Sequence, residues 1–92
     1  MKMLCVIVPI FNAAKYLREC LDSLTNQSYQ NICFVLINDG STDSSEQIAK
    51  EYCARDSRFV LISQPNGGIA SARNAGMQYA HTLFASIRGG DI

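Results

Sequence analysis

Three short apolar runs, residues 4–8, 32–37 and 59–62, are continuous rather than alternating and rich in β-branched side chains. Continuity of that kind marks strands covered on both faces, as in a parallel sheet. Between the runs the spacing becomes helical. Leu17, Cys20, Leu21 and Leu24 follow an i, i+3, i+4, i+7 pattern and predict an amphipathic helix over residues 13–25. Ile48, Ala49, Tyr52 and Cys53 repeat the stripe, and Ser44 with Gln47 fits a capping box at the start of that second helix. A third helix, rich in small residues (Ala70, Ala72, Ala75, Gly76), starts near Ile69 and ends between Tyr79 and Arg88. The strands start at residues 4, 32 and 59, which is the repeat of a β-α unit. The predicted fold class is α/β, a three-layer α/β/α arrangement of parallel strands with right-handed crossovers.

Composition narrows the function more than the fold. At 92 residues, 48% hydrophobic and 17% charged, the chain reads as one small globular domain or part of a larger one. Eight basic and eight acidic residues cancel, and no basic run is present, which argues against a nucleic-acid or anionic-membrane surface. Any bound anion must be held by local geometry. Cys5, Cys20, Cys33 and Cys53 form no C-x-x-C pair and no metal spacing with His81. Each lies in an apolar pattern, as a small buried hydrophobe in a reducing compartment would. The apolar run over residues 3–11 follows Lys2 like a signal-peptide core, yet Pro9 interrupts it and a similar run returns at 32–37. The run is also too short to span a membrane. The expected location is the cytoplasm, where the Asn26-Gln27-Ser28 sequon carries no glycan.

In an open parallel sheet, ligands bind outside the carboxyl ends of the strands. That rule selects residues 9–12, 38–43 and 64–68. Pro9 stops the first strand, and Phe11 and Asn12 stand beyond it. Phe11 suits stacking on a base or packing into the core, and Asn12 an amide contact or a helix cap. In the second loop, Asp39 ends a buried strand, where a carboxylate is costly without a defined partner, and Gly40 permits a sharp turn. An ionised carboxylate only accepts hydrogen bonds, so Asp39 suits a ring N–H such as N3 of uracil or thymine and rejects cytosine; the alternative is a helix cap. In the third loop, Gly67 and Gly68 precede a helix and offer bare N–H groups as an anion seat, with Arg73 able to fork onto a pyrophosphate. The alternative there is a turn followed by a solvated arginine. No Gly-x-Gly-x-x-Gly and no Walker loop is present. Asp39-x-Ser41-x-Asp43 resembles the start of a calcium loop, but its sixth and twelfth positions are Ser44 and Lys50. Tyr79 and His81 carry no partner pattern and are expected to be structural or exposed.

Taken together, Val8-Pro9-Ile10-Phe11-Asn12, Ile37-Asn38-Asp39-Gly40-Ser41-Thr42-Asp43, and Asn66-Gly67-Gly68 with Ala72-Arg73-Asn74-Ala75-Gly76 resemble the family 2 glycosyltransferases of GT-A fold. The resemblance covers residues 3 to about 80 of a domain portion spanning 1–92, with 81–92 atypical. It implies transfer of a sugar from a nucleotide-diphospho-sugar donor, UDP-linked, to a saccharide or lipid-linked acceptor with inversion, in cell-surface polysaccharide synthesis at the inner face of the membrane. Position by position, Phe11 matches the base-stacking residue, usually tyrosine. Asp39 matches the uracil-binding aspartate, Arg73 a basic residue near the diphosphate, and Gly67 and Gly68 the glycines shaping that loop. Pro9, Asn12 and Gly40 complete the donor-facing set. The family implies a divalent metal, magnesium or manganese, but its Asp-x-Asp ligands, catalytic base and acceptor site have no counterpart in this sequence. The expectation is donor binding without turnover, with Gly90-Asp91-Ile92 opening a further strand. The alternative is a non-catalytic module that binds nucleotides or associates through an exposed sheet edge. A nucleotidyltransferase is disfavoured by the lack of a phosphate-activating lysine motif near the first loop.

Overall fold

The computed structural model describes residues 4–91, in the order β1 (Leu4–Ile10), α1 (Ala14–Thr25), β2 (Ile32–Asp39), α2 (Ser45–Arg55), β3 (Phe59–Gln64) and α3 (Gly68–Asp91). Among the described residues the strands form one parallel sheet in the order β1-β2-β3, with Leu4 opposite Ile32 and Phe34 opposite Phe59. Successive side chains point to opposite faces of a strand. Phe34 and Leu36 of β2 therefore meet Leu17 and Leu21 of α1 and Ile48, Ala49 and Tyr52 of α2, while Cys33, Val35 and Ile37 meet Ala72 of α3. The expected three-layer α/β/α architecture is what forms. Covered on both faces, β2 is buried from Cys33 to Asp39, which is why its sequence does not alternate.

All three strands run two residues past their apolar runs, to Ile10, Asp39 and Gln64. The backbone ladder continues there, pairing Ile10 with Asn38 and Asp39 with Gln64; on β2 and β3 the side chains turn polar, while on β1 Ile10 stays in the core. On β2 and β3, hydropathy ends before the hydrogen bonds do.

Local expectations are corrected at three places. On α1, Leu17 and Leu21 are buried and Leu24 partly so, but Cys20 is exposed. At about 100° per residue, Cys20 lies roughly 80° from the centre of the Leu17–Leu21 stripe, at the edge of the buried face. Of the other cysteines, Cys33 is buried and Cys5 and Cys53 are half-buried. Burial first, and then the adjacent Cys5 in register with it, push the Cys33 thiol up to about 11. On α2, the Ser44 side chain makes no capping bond; Asp43 Oδ1 instead accepts the Ser45 N–H at 2.9 Å. A charged carboxylate is the stronger acceptor at a helix N-terminus.

Helix α3 starts at Gly68 and continues to Asp91, past the expected end, so Gly90 and Asp91 do not open a strand. Once nucleated, a helix gains a hydrogen bond with each added residue, whereas a strand needs a neighbour. Met1 to Met3, Ile92 and the His81 side chain lie outside the described residues. The small residues of α3 have the predicted consequence: a Cβ on Gly76 would sit 2.5 Å from Ile7 Cγ2, so the helix lies directly on β1. Tyr79 packs against the same side of the sheet. No helix among the described residues is long and apolar enough to cross a membrane.

Candidate functional site

The three loops at the carboxyl edge of the sheet are stitched to one another. Asn12 takes a left-handed backbone at φ 47, a conformation asparagine tolerates better than most residues. Its N–H donates to Ser41 Oγ at 3.0 Å, and its Oδ1 accepts from Thr42 N–H at 2.7 Å and from the Thr42 hydroxyl at 3.3 Å. Ala13 N–H donates to Ser45 Oγ at 2.9 Å and Ala14 N–H to Asp43 Oδ2 at 3.1 Å. The Ser45 hydroxyl is the main influence holding the Asp43 carboxyl below the usual carboxylate range. Asn12 is thus neither a helix cap nor a free amide: it clamps the first loop to the second.

The second and third loops meet at Asp39. Its Oδ1 accepts from Gln64 Nε2 and from Gly67 N–H, each at 2.9 Å, and its Oδ2 accepts from Gly68 N–H at 2.9 Å. The Gln64 amide, and after it the Gly67 N–H, hold the Asp39 carboxyl below the usual carboxylate range. The costly strand-end carboxylate has its defined partners, and it caps no helix of its own. This corrects the anion-seat expectation. The Gly67 and Gly68 N–H groups are not bare, because the anion seated on them is Asp39 itself. Gly40 makes the approach possible, with φ 73 and no Cβ where one would lie 2.6 Å from Asn66 N.

A cavity of about 450 Å³ opens beside this junction. Of the sequence-selected residues, Pro9, Phe11, Asp39 and Arg73 line it, and Ile10, Ala13, Ile69 and Ala72 complete the wall. Phe11 is 51% exposed, so its ring stands at the cleft rather than in the core. Asn12, Gly40, Gly67 and Gly68 do not line the cavity; they shape the loops that do. A carboxylate has about four acceptor positions. Three protein donors leave Asp39 one, on Oδ2, at a residue that borders the cleft.

The sequence reading missed the supports behind Asp39. Gln64 Nε2 also donates to Ser71 Oγ at 3.2 Å, tying β3 to the first turn of α3. Asn38 Oδ1 accepts from Ser41 N–H, and Ser63 Oγ donates to Glu46 Oε2 at 2.7 Å. One signal was available for Gln64: strand register places it opposite Asp39. Metal binding fares differently. Among the described residues no group of three or more His, Cys, Asp or Glu side chains could hold a metal ion.

A parallel α/β sheet with a cleft at its carboxyl edge belongs to the class of folds that receive ligands at that edge. The family described as Glycosyl transferase family 2 matches residues 5–85, and the chain belongs to that family. It is 51% identical over 72 residues to glycosyltransferase GlyA of Streptococcus pneumoniae serotype 4, covering 78% of this chain and 10% of that protein. It is 40% identical over 89 residues to the uncharacterized glycosyltransferase EpsJ of Bacillus subtilis, covering 97% of this chain and 26% of that one. The fold is similar to that of the mannosyltransferase PcManGT from Pyrobaculum calidifontis, solved in complex with GDP-Man and Mn2+. The TM-score is 0.75 at 25% identity, over 83% of this chain and 24% of the other. The chain therefore spans about a tenth to a quarter of the length of these proteins.

Proposed function

We propose that this chain forms the donor-nucleotide site of an inverting glycosyltransferase and binds the nucleoside diphosphate of a UDP-linked sugar, with the acceptor supplied elsewhere. The observation that carries the reading is the single acceptor position left on Asp39 at the edge of the cleft. A lone acceptor placed for a ring N–H matches N3 of uracil; cytosine has no proton at N3 and can reach the carboxylate only through its N4 amino group, displaced from that position. Phe11 offers its face to the base, and Arg73, on the first turns of α3, places a guanidinium along the same wall for the diphosphate. The charge on a departing nucleoside diphosphate needs stabilising, and Arg73 is the cationic side chain on this wall able to contribute.

A guanosine donor is the second reading, favoured by the GDP-Man bound to the similar mannosyltransferase. Guanine presents neighbouring N–H groups and would use two acceptors where Asp39 offers one. Calorimetric titration of the chain with UDP, GDP and CDP separates the readings. Binding in the order UDP, then GDP, with CDP weakest supports uridine; GDP tightest establishes the purine reading; equal binding of all three, or none, overturns both. As to association, β1 is an outer strand with half-exposed apolar side chains, a surface for pairing with a further strand. Sedimentation as a monomer at high concentration would remove self-association as its use.

A further inference from the structure

Asp39 can read a base only if its carboxylate is held in one orientation. A carboxylate at the end of a strand rotates freely about its last bond unless something fixes it, and rotation would exchange the engaged oxygen for the open one. The two glycine N–H groups contact one oxygen each, Gly67 on Oδ1 and Gly68 on Oδ2, so alone they do not tell the two oxygens apart. The asymmetry comes from Gln64. Its Nε2 adds a second donor to Oδ1 at 2.9 Å, filling that oxygen and leaving the open position on Oδ2. Gln64 is itself held: it is the last residue of β3, in register with Asp39, and the same nitrogen donates to Ser71 Oγ at 3.2 Å. With both of its N–H groups engaged, the amide cannot turn its oxygen toward the carboxylate without losing two bonds.

We infer that Gln64 is a positioning residue that sets base selectivity, filling Asp39 Oδ1 so that one acceptor, on Oδ2, faces the nucleotide cleft. The inference rests on the donor-site reading above. Gln64 does not line the cavity and acts through Asp39. It also links the base-reading carboxylate to Ser71 on the first turn of α3, the helix that carries Arg73 to the same cleft.

The test is titration of the 92-residue chain and two variants with UDP and CDP, with circular dichroism to establish folding. Gln64→Leu removes the donor, and UDP affinity is expected to fall about tenfold, the scale of a hydrogen bond to a charged group, with the UDP-to-CDP ratio narrowing by a similar factor. Gln64→Glu keeps the shape but sets a carboxylate against Asp39. Two carboxyls at that separation share a proton when the pH is lowered. The Glu variant should therefore bind UDP poorly at pH 8 and recover toward pH 5.5, when the introduced carboxyl donates to Oδ1. Arg73 is the other charged group lining the cleft, and it is common to all three proteins. A merely structural glutamine would give no recovery. Unchanged affinity and selectivity in a folded Leu variant, or a Glu variant without recovery, overturns the positioning role while leaving the donor site standing. Failure of the unsubstituted chain to prefer UDP over CDP overturns both.

Discussion

Two charged side chains organise the two ends of the sheet, and they differ in what they have left over. At the amino end, Arg58 donates from Nε to Asp56, from Nη1 to the Gln27 and Tyr29 carbonyls at 2.7 and 2.9 Å, and from Nη2 to the Thr25 carbonyl at 3.1 Å and to Asp56 Oδ2 at 2.8 Å. A guanidinium has five N–H groups, and all are engaged. Its ion-pair partner Asp56 is held below the usual carboxylate range, chiefly by Arg58. At the carboxyl end, Asp39 gathers a loop in the same manner with the sign reversed, yet one acceptor position stays open at the cleft. A saturated hub only holds its loop. A hub with one bond to spare can hold its loop and take a ligand without giving up a native contact.

The largest effect should come from breaking the saturated hub. Arg58→Ala strips partners from the carbonyl that ends α1 and from two in the loop after it, and removes the Asp56 ion pair; the thermal midpoint is expected to fall by roughly 10 °C, followed by circular dichroism. Asp39→Ala should act mainly on binding. UDP affinity drops by about 10- to 100-fold while the midpoint moves by a few degrees, and an equal loss of stability at both hubs would show that they differ in nothing but sign. Gly40→Ala tests the close approach that lets Asp39 reach the third loop. With φ 73 and a Cβ 2.6 Å from Asn66 N, it should cost about 2 kcal/mol in denaturant unfolding and weaken UDP binding as the loops separate.

The smallest effects are those of pH. Asp39 and Asp56 both have carboxyls lowered in the folded chain, so the stability they contribute is complete above about pH 4 and is lost as pH falls through their folded values. If UDP binds as proposed, through an ionised Asp39, its binding should fade over the same acid range. Cys33 works the other way. Its thiol titrates at about 11, above the unfolded value, so stability is complete below pH 8 to 9 and declines toward pH 11. Cys33→Val should flatten that alkaline limb in a melting series.

The same comparison shows what a sequence discloses. The strands were legible because burial on both faces forces unbroken apolar runs, and the helices because one face of each had to be apolar. That Phe11, Asp39 and Arg73 stand at the carboxyl-edge cleft was legible because parallel sheets put ligands at one edge and these residues are odd choices for plain connectors. The hubs' partners were not. Arg58 reaches carbonyls 29 to 33 residues away, and Asp39 meets Gln64, Gly67 and Gly68 at separations of 25 to 29. Such contacts leave no local periodicity. The glycine pair was misjudged for the same reason: its N–H groups suit an anion, but the anion belongs to the chain. Cys20 shows the complementary limit, since helical spacing defines a stripe but not where its edge meets solvent.

The central position of β2 has a consequence for how the molecule opens. Its backbone is bonded to a neighbour on each side and its side chains are covered above and below. In hydrogen exchange, the amides of Phe34 to Ile37 can then trade protons for deuterons only when the whole sheet comes apart, so their protection measures global unfolding. Asp39 ends that same strand. The carboxylate at the edge of the cleft is thus mounted on the last part of the fold to breathe.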